Sequence, residues 1–228
     1  MKVPRILRVE GQGRHFPFLV ALVVLFALYP VMVELDLMRW FRLAFVAVLL
    51  VAVYSLGGTR RHLTVGLSLW VPTLVAQVVM VAKASRVAAA VASILGMAFL
   101  GYVVVVVFAS VLRKGKVTWD RIFGAVAVYL LLGLLWAMAY GLLVTLDPDA
   151  LKVPAVLAER LVQGAPGSAD YAFIYYSFVT LTTLGYGDIT PVEPIGQALA
   201  WMEAATGQLF LAVTIARLVG LAAADGTD

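Results

Sequence analysis

The residues best suited to do chemistry are Thr182-Thr183-Leu184-Gly185-Tyr186-Gly187-Asp188. Glycines at 185 and 187 allow backbone angles closed to other residues, so successive carbonyl oxygens can point to one side. Rings of such carbonyls can replace the hydration shell of a monovalent cation. Ahead of this segment, Ser168 and Asp170 are good N-caps for a helix running to about Leu181. The partly negative C-terminal end of that helix would favour a cation beside the glycines. Glu203 is the second chemically loaded residue, a carboxylate inside an otherwise apolar run. A carboxylate in a bilayer is costly and is expected to face inward with a partner. Two roles stay open for it: a hydrogen bond near the short helix of its own or a neighbouring subunit, or attraction of cations and sensing of pH.

The elements that must position these residues are apolar. Of 228 residues, 63% are hydrophobic and 13% charged, against about 45–50% and about 25% in a soluble domain. A water-soluble globule of this size could not cover itself, which excludes an ordinary cytosolic enzyme, a disordered tail and a nucleic-acid binder. The chain has no Cys, hence no disulfide framework and no thiolate metal site, and no Asn, hence no N-glycosylation acceptor. His15 and His62 stand at the edges of apolar runs and suggest no metal centre.

Crossing a bilayer takes about 20 mostly apolar residues. Six runs of roughly that length are present, at about Phe16–Val33, Trp40–Leu56, Leu63–Ala82, Val87–Leu112, Ile122–Leu146 and Ile195–Gly220. The apolar part of the 147–194 stretch, Tyr171–Leu181, is too short to cross and is expected to dip in and return. With the N-terminus in the cytoplasm, eleven Lys and Arg fall inside and six outside. The positive-inside bias thus places both termini in the cytoplasm. Only short polar pieces lie beyond the runs, so no attached soluble domain is expected. Glycines along the spans (Gly66, Gly96, Gly101, Gly124, Gly133, Gly141) are read as sites of close helix packing.

Thr183-Leu184-Gly185-Tyr186-Gly187-Asp188, behind a short aromatic helix and before a glycine-containing span, resembles the selectivity filter of the potassium channel family. Leu184 stands where Val or Ile is usual. The resemblance covers about Asp170–Gly220, and six spans with the filter before the last is the layout of many prokaryotic six-helix members. It implies an all-α membrane protein with six transmembrane helices per subunit, a re-entrant pore helix and filter, and a homotetramer around a central pore. Residues 1–15 would be a cytoplasmic N-terminus, 16–112 a four-helix peripheral membrane domain, 113–121 a cytoplasmic linker, 122–220 the pore domain and 221–228 a cytoplasmic C-terminus.

Residue by residue, the resemblance implies that carbonyls of Thr183, Leu184, Gly185 and Tyr186, with the Thr183 hydroxyl, coordinate dehydrated potassium, and that Gly187 completes the filter. The Tyr186 ring would brace the filter against pore-helix aromatics. Asp188 would sit at the outer mouth, hydrogen-bonded to Tyr175 behind it. For Tyr175, Tyr176 and Thr182, ordinary packing and interface anchoring stand beside a supporting role. Gly207 lies where the family places its hinge glycine, with close packing against the pore helix as the other reading. Gln208, Leu211 and Ile215 would line the cavity below the filter. Where some members carry an acidic residue in the pore helix, this chain has Val179.

The function implied is passive, potassium-selective conduction with no enzymatic activity, no cofactor beyond potassium ions in the filter, and a multi-pass location in the plasma membrane of a prokaryote. Its partners would be three further copies of the chain, membrane lipids and an unidentified regulatory subunit, with no nucleic acid. The Val87–Leu112 run holds no charge, whereas voltage sensors need arginines moving in the field. Gating is therefore expected from lipid, tension, pH, the filter itself or a separate subunit. The basic stretch Arg113–Arg121, with Trp119, could couple the first four helices to the fifth. A loosely selective monovalent cation channel is one alternative. Gly185-Tyr186-Gly187-Asp188 also fits the G-x-G-D pattern of intramembrane aspartyl proteases, but that chemistry needs a second carboxylate sharing a proton, and no other span holds an Asp.

Overall fold

The computed structural model describes residues 13, 15–35, 37–57, 60–83, 85–112, 118–155 and 168–225. The side chains at 38–39, 41–43, 54–57, 60, 81, 168–171 and 221–225 are likewise outside the description. The elements in chain order are α1 (His15–Glu34), α2 (Met38–Gly57), α3 (Arg60–Lys83), α4 (Arg86–Val111), α5 (Trp119–Leu146), β1 (Leu151–Lys152), α6 (Ser168–Leu181), β2 (Thr190–Pro191) and α7 (Pro194–Asp225). Each of the six long apolar runs is a helix, because helix satisfies every backbone donor and acceptor within the segment where no water can. Pro30 in α1 and Pro72 in α3 stay inside their helices.

Among the described residues, α1, α3, α4, α5 and α7 contain stretches long and apolar enough to cross a membrane. Their outward faces agree with that. Val20, Val23 and Val24 of α1, Val71, Val75 and Val78 of α3, and Val87, Val91 and Ile94 of α4 are all exposed. A helix on the surface of a soluble protein would turn a polar face to water. These turn valine, which suits hydrocarbon as the solvent. The chain is a multi-pass membrane protein.

One core joins the first four helices to the fifth. Phe18 and Leu22 of α1, Leu49 and Val53 of α2, Phe99, Leu100, Val103 and Val107 of α4, and Val128, Leu131 and Leu134 of α5 form a single buried cluster. α4 packs along α5, and α1 packs on both α2 and α5. The α1–α5 junction is fastened by His15, which is buried. Its backbone N–H donates to Asp120 Oδ1 at 2.9 Å, and its Nδ1 and Nε2 lie 2.6 Å from Asp120 Oδ2 and 2.7 Å from Ser110 Oγ. Asp120 stands in the first turn of α5, where a carboxylate also suits the helix dipole. Thus His15, read from the sequence as an edge residue, ties three helices together.

A smaller cluster at the other end of α5 holds Ala137, Tyr140, Leu151, Phe173, Tyr176 and Ile189. Here β1 and β2 pair antiparallel, Leu151 opposite Pro191 and Lys152 opposite Thr190, and Val192 N–H donates to Ala150 O at 2.9 Å. This clip ties the segment leaving α5 to the one entering α7, and so fixes both ends of what lies between.

Candidate functional site

The site begins where α6 ends. Val179 O accepts from Leu184 N–H at 2.9 Å, and Thr180 O accepts from Thr183 N–H at 2.9 Å. This pair of bonds is a Schellman motif, in which the residue just past the cap takes the left-handed conformation. That residue is Thr183, at φ 59°. Glycine is the usual occupant because a β-carbon is disfavoured there. The Thr182 hydroxyl bonds back to Phe178 O at 2.6 Å, and Gly185 N–H shares the Val179 carbonyl at 3.2 Å.

From Thr183 onward the left-handed conformation recurs at alternate positions: Gly185 has φ 59° and Gly187 φ 77°. The sequence indicated the two glycines; the threonine in the same conformation had no signature of its own. Residues 182–188 are all exposed on the isolated chain, Tyr186 at 66% and Leu184 at 55%. At the N-terminal end of this segment, Gln208 Nε2 of α7 approaches Thr183 Oγ1 to 3.5 Å. Leu211 and Ile215 are exposed further along α7. At the other end the Tyr175 hydroxyl donates to Asp188 Oδ2 at 2.7 Å, and Ile189 N–H donates to Asp188 Oδ1 at 3.0 Å. The tyrosine bond holds the Asp188 carboxyl below its ordinary range, against the opposing effect of burial.

Close approach on both sides holds α6 in place. A β-carbon on Gly133 of α5 would lie 2.6 Å from Phe178 Cζ, and one on Gly207 of α7 would run into the Leu181 carbonyl oxygen. α7 continues as helix through Gly207, and the end of α6 stands where a side chain at 207 would otherwise lie. One turn before it, Glu203 is fully buried. Its Oε2 accepts from the Tyr140 hydroxyl of α5 at 2.6 Å, and its Oε1 lies 2.5 Å from Ser177 Oγ of α6. Ser177 Oγ is also 2.6 Å from the Gly133 carbonyl oxygen. Glu203 therefore meets the short helix of its own chain. Its two partners, Ser177 and Tyr140, were not singled out from sequence; their only sign was a hydroxyl in an apolar run.

The proposed N-caps Ser168 and Asp170 have side chains outside the described residues, as do positions 113–117 of the basic linker. Trp119 lies at the start of α5 with its ring 6.3 Å from that of Phe123. No group of three or more His, Cys, Asp or Glu able to hold a metal ion is found among the described residues.

A family model described as ion channel matches residues 163–223, the span that contains α6, the glycine-spaced segment and most of α7. Over that quarter of its length the chain is similar to ion channels, which supports a role in ion conduction. No curated protein and no solved structure matches the chain.

Proposed function

We propose that the protein is a potassium-selective channel in which four copies of the chain surround one pore and ions move passively down their gradient. α6 is the pore helix and residues 183–187 are the selectivity filter. The observation that carries this reading is the alternation of left-handed backbone at Thr183, Gly185 and Gly187, at the end of a helix too short to cross a bilayer. Such a backbone can turn several carbonyls toward one axis, and four strands of it would exchange a cation's water shell for protein oxygen. Exposure of the whole segment on one protomer supports a ring built from several. The Tyr186 ring, two-thirds exposed, is left to pack on a neighbouring pore helix.

The remaining residues have roles that follow from their positions. Thr183 supplies the innermost ligands, its carbonyl and hydroxyl, and Gln208 beneath it is the most polar wall of the cavity that Leu211 and Ile215 line. Asp188 marks the outer mouth and is steadied by Tyr175. Conduction requires binding weak enough for the next ion to displace the last.

The test is ion flux from purified protein in liposomes, with potassium and sodium gradients compared and barium as blocker. Potassium-selective, barium-sensitive flux is expected. Equal sodium flux would make the protein a loosely selective cation channel, a filter loosened by Leu184 in place of the usual Val or Ile.

A further inference from the structure

Behind the filter, three short oxygen–oxygen approaches need three protons. Tyr140 Oη to Glu203 Oε2 is 2.6 Å, Ser177 Oγ to Glu203 Oε1 is 2.5 Å, and Ser177 Oγ to Gly133 O is 2.6 Å. Each lies within or at the short end of the O–H···O range, about 2.5–3.0 Å. The Gly133 carbonyl can only accept, and a serine hydroxyl carries one proton. If Ser177 gives that proton to Gly133, its oxygen can meet Glu203 only by accepting. If Glu203 is ionised, two acceptor oxygens face each other at hydrogen-bond distance with nothing between them. A carboxylic acid removes the conflict. Glu203 Oε1–H donates to Ser177, Ser177 donates to Gly133 O, and Tyr140 donates to Oε2.

The surroundings agree. Glu203, Ser177 and Tyr140 are each fully buried within one protomer, so the network does not wait on a neighbour. No Lys or Arg forms an ion pair with Glu203 among the described residues. An isolated buried carboxylate without a counter-charge is heavily penalised. The titratable groups facing it are hydroxyls, Tyr140 and Tyr129 from α5 and Tyr176 from α6, and β2 (Thr190–Pro191) contributes none.

We propose that Glu203 is a proton-binding site, occupied at neutral pH, whose neutral acid joins the inner helix α7 to the pore helix α6 and the outer helix α5. The regulatory part of this inference rests on the channel reading. Loss of the proton places a charge against the back of the helix that ends in the filter, and breaks the chain of donors that holds Ser177 on α5. Alkaline conditions should therefore reduce flux.

The experiment uses the full chain in lipid nanodiscs and reads infrared absorption at neutral pH. Wild type should show the carbonyl band of a protonated carboxylic acid, shifted in deuterated water and absent from Glu203→Gln. The amide reproduces the acid's donor and acceptor, so this variant should insert and melt like wild type. Glu203→Asp, one methylene too short to reach both partners, should melt lower. A wild-type minus Glu203→Gln spectrum showing a lost carboxylate band instead would overturn the proposal, and so would a Glu203→Gln chain that fails to insert. In liposomes, alkaline loss of flux should occur in wild type and disappear in Glu203→Gln; parallel loss in both would overturn the regulatory part. An acid band in a chain that passes sodium and potassium alike would leave the proton site standing and refute the potassium-selective reading.

Discussion

Thr183, Gly185 and Gly187 take the conformation that an L side chain occupies at a cost of roughly 1–2 kcal/mol per residue. Within one protomer Gly185 and Gly187 have open space around the position of an added β-carbon, so substitution there acts on the protomer through the backbone. Gly187→Ala should therefore leave insertion intact and abolish flux, and Tyr186→Ala should abolish flux or selectivity by removing the brace. Either variant retaining potassium preference over sodium in liposomes would refute the filter assignment. The glycine pair was legible in the sequence because only glycine visits this region freely; Thr183 was not, because its conformation is imposed by the Schellman termination of α6. Asp188 gives the pH-dependent expectation at this scale. Its carboxyl is depressed below its ordinary range chiefly by the Tyr175 hydroxyl. The contribution of a depressed acid is full above its unfolded pKa and fades as pH falls through the folded value. Tyr175→Phe removes the donor, so Asp188 should titrate at higher pH, and any acid-side loss of flux that depends on it should begin at higher pH. An unchanged acid limb in flux measurements would show that the bond does not matter there.

α6 is a short helix wedged between two long ones, and glycines set how close they come. A β-carbon at Gly207 meets backbone, the Leu181 carbonyl, which cannot swing aside as a side chain can. Overpacking of this kind costs typically about 1–3 kcal/mol, so Gly207→Ala should lower the melting temperature of the purified protein and displace the end of α6 at Leu181. Gly101 supplies the contrast. A β-carbon there meets nothing within 4 Å, so Gly101→Ala should be neutral or stabilising by up to about 1 kcal/mol, the helix-propensity difference. Equal melting of wild type and Gly207→Ala would remove the packing account and leave flexibility as that glycine's use. The helices themselves were readable from the length of the apolar runs. Which face each one buries was not: every span is apolar nearly all round, so its pattern points nowhere. Gly101 shows the consequence, since it was grouped with the packing glycines and packs against nothing, while Gly96 sits under Met138 and Gly133 under Phe178. Ser177 and Tyr140 were hidden for a related reason, because pairing them with Glu203 requires three helices to be in place.

At the scale of the molecule, α5 belongs to two structures at once. Ala127, Val128, Leu131 and Leu134 complete the core of α1, α2 and α4, while Gly133 meets α6 and Ala137 and Tyr140 join α6 and the strand clip. A displacement among the first four helices therefore has a direct path to α6 and residues 182–188 through a shared helix. In the proposed channel, one chain supplies only one wall of the pore. Trp201, Leu209, Val213 and Ile215 of α7 are each more than half exposed, as are Leu184 and Tyr186. Lipid can cover the α7 residues, but it cannot satisfy the non-helical backbone of 182–188, since irregular backbone at membrane depth is tolerated only where protein or a water-filled path surrounds it. Residues 182–188 thus call for protein or a water-filled path around them, and the proposed ring of subunits would supply both. If residues 183–187 are a filter strand, one strand per chain calls for a closed ring, and a cyclic assembly repeats the same pair of patches at every junction without leaving an open edge. Cross-linking and native mass spectrometry of the protein in detergent or nanodiscs should give four subunits. A trimer, a dimer or a monomer that still carries selective flux would refute the fourfold ring, because four carbonyls per layer would then be unavailable to the ion.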